Sequence, residues 1–540
     1  MLLALLFACR NDAPQEAVTW SLTDAPYTAL QAAWRPLPPS DDVRAAIAAD
    51  DLVVTDLEGM LAAGLGVALD AGQPWQEHAE LAPGFTPGDP DRRRSLLYAW
   101  QAADPQLIDE ESPIRMEAFT SLYRPQGHLT VQVFEAHVRT AQRLSDLSGR
   151  PFDLALFAGD LTDGSQLNEG RWFLDTLAGG IIDPDSGADD DPVAGAGNDF
   201  NDPFISDGLS APWYAVIGNH ETQYNGGFGP IDEALLDAAV GGEVVDSDLY
   251  ANGFRDGATP TAEVVSEGTT PADPDRVPLG LVDWLDLLAS AEGQPSGHGL
   301  TADDVAAGRG WFSDWPLDGA PIRLIALNTV NPTGDVGVGS QGWMDEAQHA
   351  WLLDELTDAD RLGELVIVMS HHRVQDFTGG SPVSGEQVAE ALASSPSVVL
   401  QVTGHGHQNH ASVYPESLAD AERGYWQLML ASTIDFPMQS RVLELVDEGN
   451  GYLTIYATNL GHNATEDSLA HLGRQLAAAA MSFGGLHSSA DVAAWWEEDR
   501  LSQNLALRLP LTEAQQLALA AYDWPTRVES EQTLLALDAP

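Results

Sequence analysis

An α/β fold with a second sheet packed on the first is what this sequence predicts from about residue 93 onward, on three observations. Six apolar runs of strand length are continuous rather than alternating, as in strands buried on both faces. They are Ser95–Ala103, Phe152–Ala158, Trp213–Ile217, Ile322–Leu327, Leu365–Ser370 and Ser397–Val402. Stretches with helical spacing, Val131–Leu147 and Asp345–Leu356, lie between them, the alternation of a layered α/β domain. Strand-like segments then recur near Trp426–Leu430, Arg441–Val446 and Leu453–Ala457, and these predict the second sheet.

Taken in order, residues 10–92 form an N-terminal extension rich in Ala, Asp and Pro. Ser40-Asp41-Asp42 opens a helix there, and Pro83-Gly84 and Pro87-Gly88-Asp89-Pro90 are turns that close the segment. The main domain occupies 93–465. Within it, 183–208 is rich in Asp, Gly and Pro and poor in large apolar residues, the composition of a long acidic loop insertion. Residues 466–540 turn Ala- and Leu-rich, which predicts a C-terminal helical extension with helices at Ser468–Ala480, Ala490–Trp496 and Glu513–Tyr522. No internal repeat is present.

Composition excludes several classes. A hydrophobic fraction of 44% with 15 Trp, 15 Phe and 11 Tyr is enough to build a large core, so global disorder is excluded. The 24 basic residues are all Arg and face 82 acidic ones, a net charge of −58 that repels nucleic acid and anionic membrane surfaces. An anionic substrate would then need a strong local positive centre, and a bound metal supplies one. Cys9 is the single cysteine, so there is no disulfide framework and no Cys-based zinc site. The apolar run Met1–Ala8 ends at Cys9 and resembles a bacterial lipobox, so residues 1–9 read as a lipoprotein-type signal. The expected location is exported, periplasmic or cell-surface, with membrane contact only through a lipid on Cys9. No later stretch has the ~18 continuous apolar residues of a membrane span.

Several strand-like runs end in small or polar clusters: Gly159-Asp160, Gly218-Asn219-His220, Ser370-His371-His372 and Gly404-His405-Gly406-His407. Polar groups gathered at the ends of buried strands are where an α/β sheet places a site. Each cluster alone is weak, since a lone His is most often a surface or hydrogen-bonded residue. Four in sequence, each after a strand, are not.

Together Ala158-Gly159-Asp160, Gly218-Asn219-His220-Glu221, Ser370-His371-His372 and Gly404-His405-Gly406-His407 resemble the calcineurin-like metallophosphoesterase superfamily, which includes purple acid phosphatases and cyclic-nucleotide phosphodiesterases. Asp345-x-x-Gln348-x-x-Trp351-Leu352 is similar to the helix that precedes the first isolated His in many members. The resemblance covers roughly residues 93–460. It implies a four-layer α/β/β/α sandwich of two mixed sheets with flanking helices. The family's first motif is Asp-x-His, and the best-placed match here is Asp104-Pro105-Gln106, with Gln106 where His is usual. An amide oxygen suits hard cations and binds softer metals less well than imidazole does. The phrase resembles a bacterial secreted subgroup that carries Asp-x-Gln. Val54-Thr55-Asp56-Leu57-Glu58 is a poorer match, since it would need a very long excursion before Asp160.

The resemblance implies two divalent ions, Mn, Fe or Zn. One would be held by Asp104, Gln106, Asp160 and His407, the other by Asp160, Asn219, His371 and His405. His220 would be the general acid. Phosphate ester hydrolysis calls for these types: paired cations ~3.5–4 Å apart neutralise phosphoryl oxygens and lower the pKa of a bridging water, and an imidazole protonates the leaving group. No Tyr can be assigned as the charge-transfer ligand of purple phosphatases, so a ferric site is not supported. His372 adjoins His371 and is left for substrate or neighbouring groups. Arg115 and Arg373 are equally well partners of nearby carboxylates, and His410 reads as a surface residue. Asp189-Asp190-Asp191 and Asn198-Asp199-x-Asn201-Asp202 offer hard oxygens that suit Ca²⁺ but lack EF-hand spacing, so a solvated loop is the plainer expectation, and its position between Asp160 and Asn219 makes it a candidate lid or substrate-selecting rim. The expected substrate is a small phosphoester, with a phosphodiester or nucleotide as the alternative. A noncatalytic surface protein on a degenerate scaffold is the reading of a different class.

Overall fold

The computed structural model of the chain describes residues 17–23, 27–115, 124–188, 191–227, 233–247, 264–332, 339–377, 380–414, 424–483, 491–526 and 534. The expected leader 1–9, with Cys9, lies outside the described residues. Among them, no helix is long and apolar enough to cross a membrane.

Two mixed sheets dominate. In chain order their strands are β1 (Gln76–His78), β2 (Arg94–Ala102), β3 (Leu154–Phe157), β4 (Trp213–Ala215), β5 (Phe312–Asp314), β6 (Ile322–Ala326) and β7 (Leu365–Met369). Then follow β8 (Val398–Thr403), β9 (His410–Tyr414), β10 (Tyr425–Met429), β11 (Gln439–Asp447), β12 (Tyr452–Gly461) and β13 (Asn504–Pro510). The seven-stranded sheet has the order β1-β13-β12-β11-β2-β3-β4, and the six-stranded sheet β5-β6-β7-β8-β10-β9. In the first, β2, β3 and β4 run parallel to one another. In the second, β6, β7, β8 and β10 do. All six apolar runs are strands.

Among the helices of the described residues that flank these sheets are α1 (Thr130–Ser148), α2 (Leu167–Ala178), α3 (Glu346–Leu362), α4 (Gly385–Ser394), α5 (Leu469–Ala480), α6 (Val492–Asp499) and α7 (Glu513–Ala521). Side-chain alternation builds the layers of the six-stranded sheet. Ile322, Leu324, Ala326, Ile367, Met369, Leu400 and Leu428 join the large core shared with the other sheet. The alternate residues Ile325, Val366, Val368 and Val398 pack outward on Leu352 and Leu356 of α3 and on Val388 and Leu392 of α4. On the seven-stranded sheet, Phe134 of α1 and Phe173 of α2 lie 6.2 and 5.2 Å, ring to ring, from Phe157 of β3. Each buried aliphatic side chain in these layers contributes about 1.5–3 kcal/mol relative to exposure.

Two expectations about organisation change. Trp426–Leu430 does not join the later strands: it is β10 of the six-stranded sheet, whereas β11 and β12 complete the sheet begun by β2. The three helices of the C-terminal stretch are present, but β13 lies between them and pairs with β12, and β1 from the N-terminal extension adds in parallel to β13. Both extensions thus complete the edge of the main sheet. The expected first helix appears as Asp41–Ala48, with the Ser40 side chain accepting from Val43 N.

Candidate metal centre

Parallel neighbours end on the same side, so the turns after β2, β3, β4, β7 and β8 meet. Asp104 and Gln106 follow β2, Asp160 follows β3, Asn219 and His220 follow β4, His371 follows β7, and His405 and His407 follow β8. The backbone ladder continues past the strands: Asp104 N donates to Gly159 O, Gln106 N to Asp160 O and Gly404 N to His371 O. Five of these residues hold the left-handed conformation, with φ of 50° at Asp104, 36° at Gln106, 50° at Asp160, 67° at His405 and 52° at His407. Such positions cost non-glycine residues roughly 1–3 kcal/mol each and persist where surrounding structure enforces them.

Glycines let the turns approach. A methyl built on Gly218 would stand 2.1 Å from Asp160 Oδ1, and one on Gly404 2.5 Å from Asp104 Oδ2. Glu221, fully buried, accepts from the backbone N–H of Leu161, Thr162 and Gly218, and so locks the β3 and β4 turns together.

All eight residues expected at the site come together. Asp104, Asp160 and His407 place ligand atoms within 4.8 Å of one another, as do His371, His372 and His405. Asp160 sits between the groups. Its Oδ2 is 3.1 Å from His371 Nε2, 3.3 Å from Gln106 Nε2 and 3.8 Å from His220 Nε2, while its Oδ1 accepts from His220 N at 2.9 Å. Asp104 Oδ1 lies 3.4 Å from His407 Nε2. Asn219 donates its Nδ2 to Gly226 O at 2.8 Å, which turns its Oδ1 to within 3.0 Å of His371 Nε2.

Ring nitrogens separate the two adjacent histidines. His371 Nδ1 donates to Ala158 O at 2.7 Å, which leaves Nε2 as the nitrogen that faces Asn219 and Asp160. His372 uses both nitrogens on protein, accepting from Thr329 Oγ1 at 2.9 Å and donating to Ser340 O at 3.1 Å. His371 is therefore the one with a nitrogen to offer a cation. His407 donates Nδ1 to Asp435 Oδ2 at 2.7 Å, the carboxylate–imidazole arrangement that fixes a metal ligand's tautomer. Burial and the neighbouring His371 push His405 down to about 4, so its ring is neutral and keeps a lone pair.

A cation fits this donor set. Two fully buried carboxylates, three imidazoles that each turn a ring nitrogen to the centre and two amides converge. The Gln106 side-chain oxygen, on a residue 1% exposed, has no hydrogen-bond donor among the described residues. An acceptor stranded beside a carboxylate is what a hard cation would satisfy.

The competing candidates fall elsewhere. Asp56 caps the short helix Leu57–Ala62. Arg373 pairs with Asp376 at 2.8 Å and Arg115 with Glu110, while His410 is exposed at the start of β9. Asp189 and Asp190 lie outside the described residues. Asp191, Asp199 and Asp202 of the acidic loop gather with one another and not with the centre. Sequence reasoning gave no role to Glu221, Asp163, Asp435 or Arg124. Only Glu221 carried a signal, since it closes the Gly-Asn-His-Glu phrase.

A family model described as calcineurin-like phosphoesterase matches residues 130–409, more than half the chain. The chain belongs to the calcineurin-like phosphoesterase family. It is accordingly a metallophosphoesterase, and the noncatalytic reading gives way to an enzyme. The matched region holds Asp160, Asn219, His220, His371, His405 and His407; Asp104 and Gln106 precede it. No curated protein matches the sequence. Among solved structures, a dimetal phosphatase from Danio rerio is similar at 14% identity, covering 69% of this chain and 100% of its own, with a TM-score of 0.37. The purple acid phosphatase PPD1 from yellow lupin (Lupinus luteus) seeds is similar at 11% identity, covering 73% of this chain and 56% of its own, with a TM-score of 0.33.

Proposed function

We propose that the enzyme hydrolyses a small phosphoester at a dinuclear centre, with Asp104, Gln106, Asp160 and His407 on one divalent ion, Asp160, Asn219, His371 and His405 on the other, and His220 as general acid. The observation that carries this is the convergence of five left-handed, non-glycine residues, Asp104, Gln106, Asp160, His405 and His407, on one point. Backbone strain of that kind is retained where a site depends on it. When bound, two such ions would neutralise phosphoryl oxygens and lower the pKa of a water.

The chain's own residues supply the rest. Asp160, placed between the two donor sets, is the one carboxylate able to serve both. His220 directs Nδ1–H to the Asp163 carbonyl at 2.9 Å, so the proton on Nε2 of the imidazolium is the one available to the leaving oxygen as the P–O bond breaks. Nitrogen and oxygen donors without sulfur favour Mn, Fe or Zn. Whether the ester is a monoester, a diester or a nucleotide depends on the surrounding loops. We place the enzyme outside the cytoplasm, tethered through Cys9, on the strength of the Leu6-Phe7-Ala8-Cys9 run and the −58 charge.

The test is a panel of aryl phosphate and bis-aryl phosphate esters with Mn²⁺ added, for the wild type and His220→Ala. The wild type should turn over at least one class. The variant should keep its metal and lose roughly 10²–10⁴ in kcat. Loss of metal in the variant would make His220 a ligand, and no turnover of any ester by the wild type would refute the proposal.

A further inference from the structure

Arg124 is the residue this site uses that no motif marks. It is 6% exposed and stands between two carboxylates behind the centre. Its Nε donates to Asp435 Oδ1 and Oδ2 at 3.0 and 3.1 Å, and its Nη1 to Asp163 Oδ1 at 3.3 Å. Beyond Asp435 lies His407, whose Nδ1 is 2.7 Å from Asp435 Oδ2. Beyond Asp163 lies His220, whose Nδ1 is 2.9 Å from the Asp163 carbonyl and 3.5 Å from its Oδ1. A continuous path of polar contacts therefore runs His407–Asp435–Arg124–Asp163–His220. Gln126 braces it, donating to Asp435 Oδ1 at 2.9 Å and to Ile434 O at 3.1 Å.

We propose that Arg124 is a positioning residue that sets two histidines at once: His220 as proton donor and His407 as metal ligand. The inference rests on the general-acid reading of His220 given above. Charge is the physical reason. Asp163 and Asp435 are both buried, and two buried carboxylates without a cation between them would repel and turn away. The guanidinium fork holds both in one geometry: the Asp435 carboxylate fixes the His407 ring directly, and Asp163, anchored through its carboxylate, keeps its main-chain carbonyl on His220 Nδ1. Arg124 does not need to touch the substrate for this. Its effect reaches the reaction through His220, so it should depend on how much the leaving group needs a proton.

The experiment measures kcat/KM at saturating Mn²⁺ across aryl phosphates, or methyl aryl diesters, with leaving groups from nitrophenol to unsubstituted phenol. Wild type, Arg124→Met, Arg124→Lys and His220→Ala are compared. Arg124→Met should lose at least tenfold more on the phenyl ester than on the nitrophenyl ester. Arg124→Lys, which keeps a cation between the carboxylates, should recover most of that difference. The same Met variant should bind Mn²⁺ roughly 10–100-fold more weakly, through His407. Arg124→Gln carries the same comparison if the Met variant does not fold. An equal loss on every ester would mean a merely structural Arg124 and would overturn the proposal, provided His220→Ala still shows the steep dependence. A flat dependence in His220→Ala would instead overturn the general-acid reading, and this proposal with it.

Discussion

The two sheets contribute unlike chemistry to one centre. The seven-stranded sheet brings Asp104, Gln106, Asp160, Asn219 and His220, so it supplies all the carboxylates and amides and one imidazole. The six-stranded sheet brings His371, His405 and His407, imidazoles only. Neither half could hold a pair of ions alone. The first lacks nitrogen donors apart from His220, and the second lacks the negative charge that offsets a divalent cation. The centre therefore reports on how the sheets pack. Contacts across the seam join its residues, such as His371 Nδ1 on the Ala158 carbonyl and Asp104 on the backbone N–H of His405 at 2.9 Å.

Breaking the seam should have the largest effect. Gly404 lies on the six-stranded side, and a methyl there would meet Asp104 Oδ2 at 2.5 Å and Ala158 O at 3.1 Å, both from the other sheet. Part of what it meets is backbone and cannot swing aside. Gly404→Ala should lower activity more than about a thousandfold and lower Tm. Gly227→Ala, with nothing within 4 Å of the added methyl, should change neither. Steady-state kinetics and thermal melts on the pair check this; equal behaviour of the two variants would mean that the seam is loose.

A smaller effect sharpens the comparison through pH. Burial disfavours charge on His371 and His407, yet Asp160 and Asp104 outweigh it for the first, pushed up to about 9, and Asp104 with Asp435 for the second, pushed up to about 10. Before metal binds, His371 and His407 therefore hold protons at neutral pH, and these protons answer carboxylates that include Asp160 and Asp104 of the other sheet. An ion must displace them, because ligation needs the lone pair. A raised pKa in the ion-free protein means a proton to lose at any pH below that value. Affinity for each ion should then rise about tenfold per pH unit and level off near pH 9–10. Competition with a chelator of known affinity, across pH 6 to 10, measures it. A flat profile would mean that these rings are already neutral.

Much of this was legible in the sequence, for definite reasons. Leu365–Met369 and Val398–Thr403 are buried on both faces, so their continuous apolar runs mark them as strands. The turns that follow carry histidines, two of them interleaved with glycines in Gly404-His405-Gly406-His407, and so stand out from the apolar runs before them. Asp104-x-Gln106 is marked by its place after a strand, even with the usual His missing. Other features were illegible because distance along the chain hides them. Asp435 meets His407 from 28 residues away, and Arg124 meets Asp435 across 311. The strand Asn504–Pro510 lies in Ala- and Leu-rich surroundings, where Leu505, Leu507 and Leu509 alternate too briefly to outweigh the helical composition. Its place at β12 is set by tertiary pairing. The division of strands between sheets was hidden for the same reason, since β10 and β11 are close in sequence and belong to different sheets.

Metal content tests the central claim most directly. Wild-type protein reconstituted with Mn²⁺, freed of excess ion and assayed by elemental analysis should carry two ions per chain, and Asp160→Ala should carry none. Two ions retained in that variant would contradict a carboxylate shared between the halves, and with it the view that the two sheets meet to build one centre.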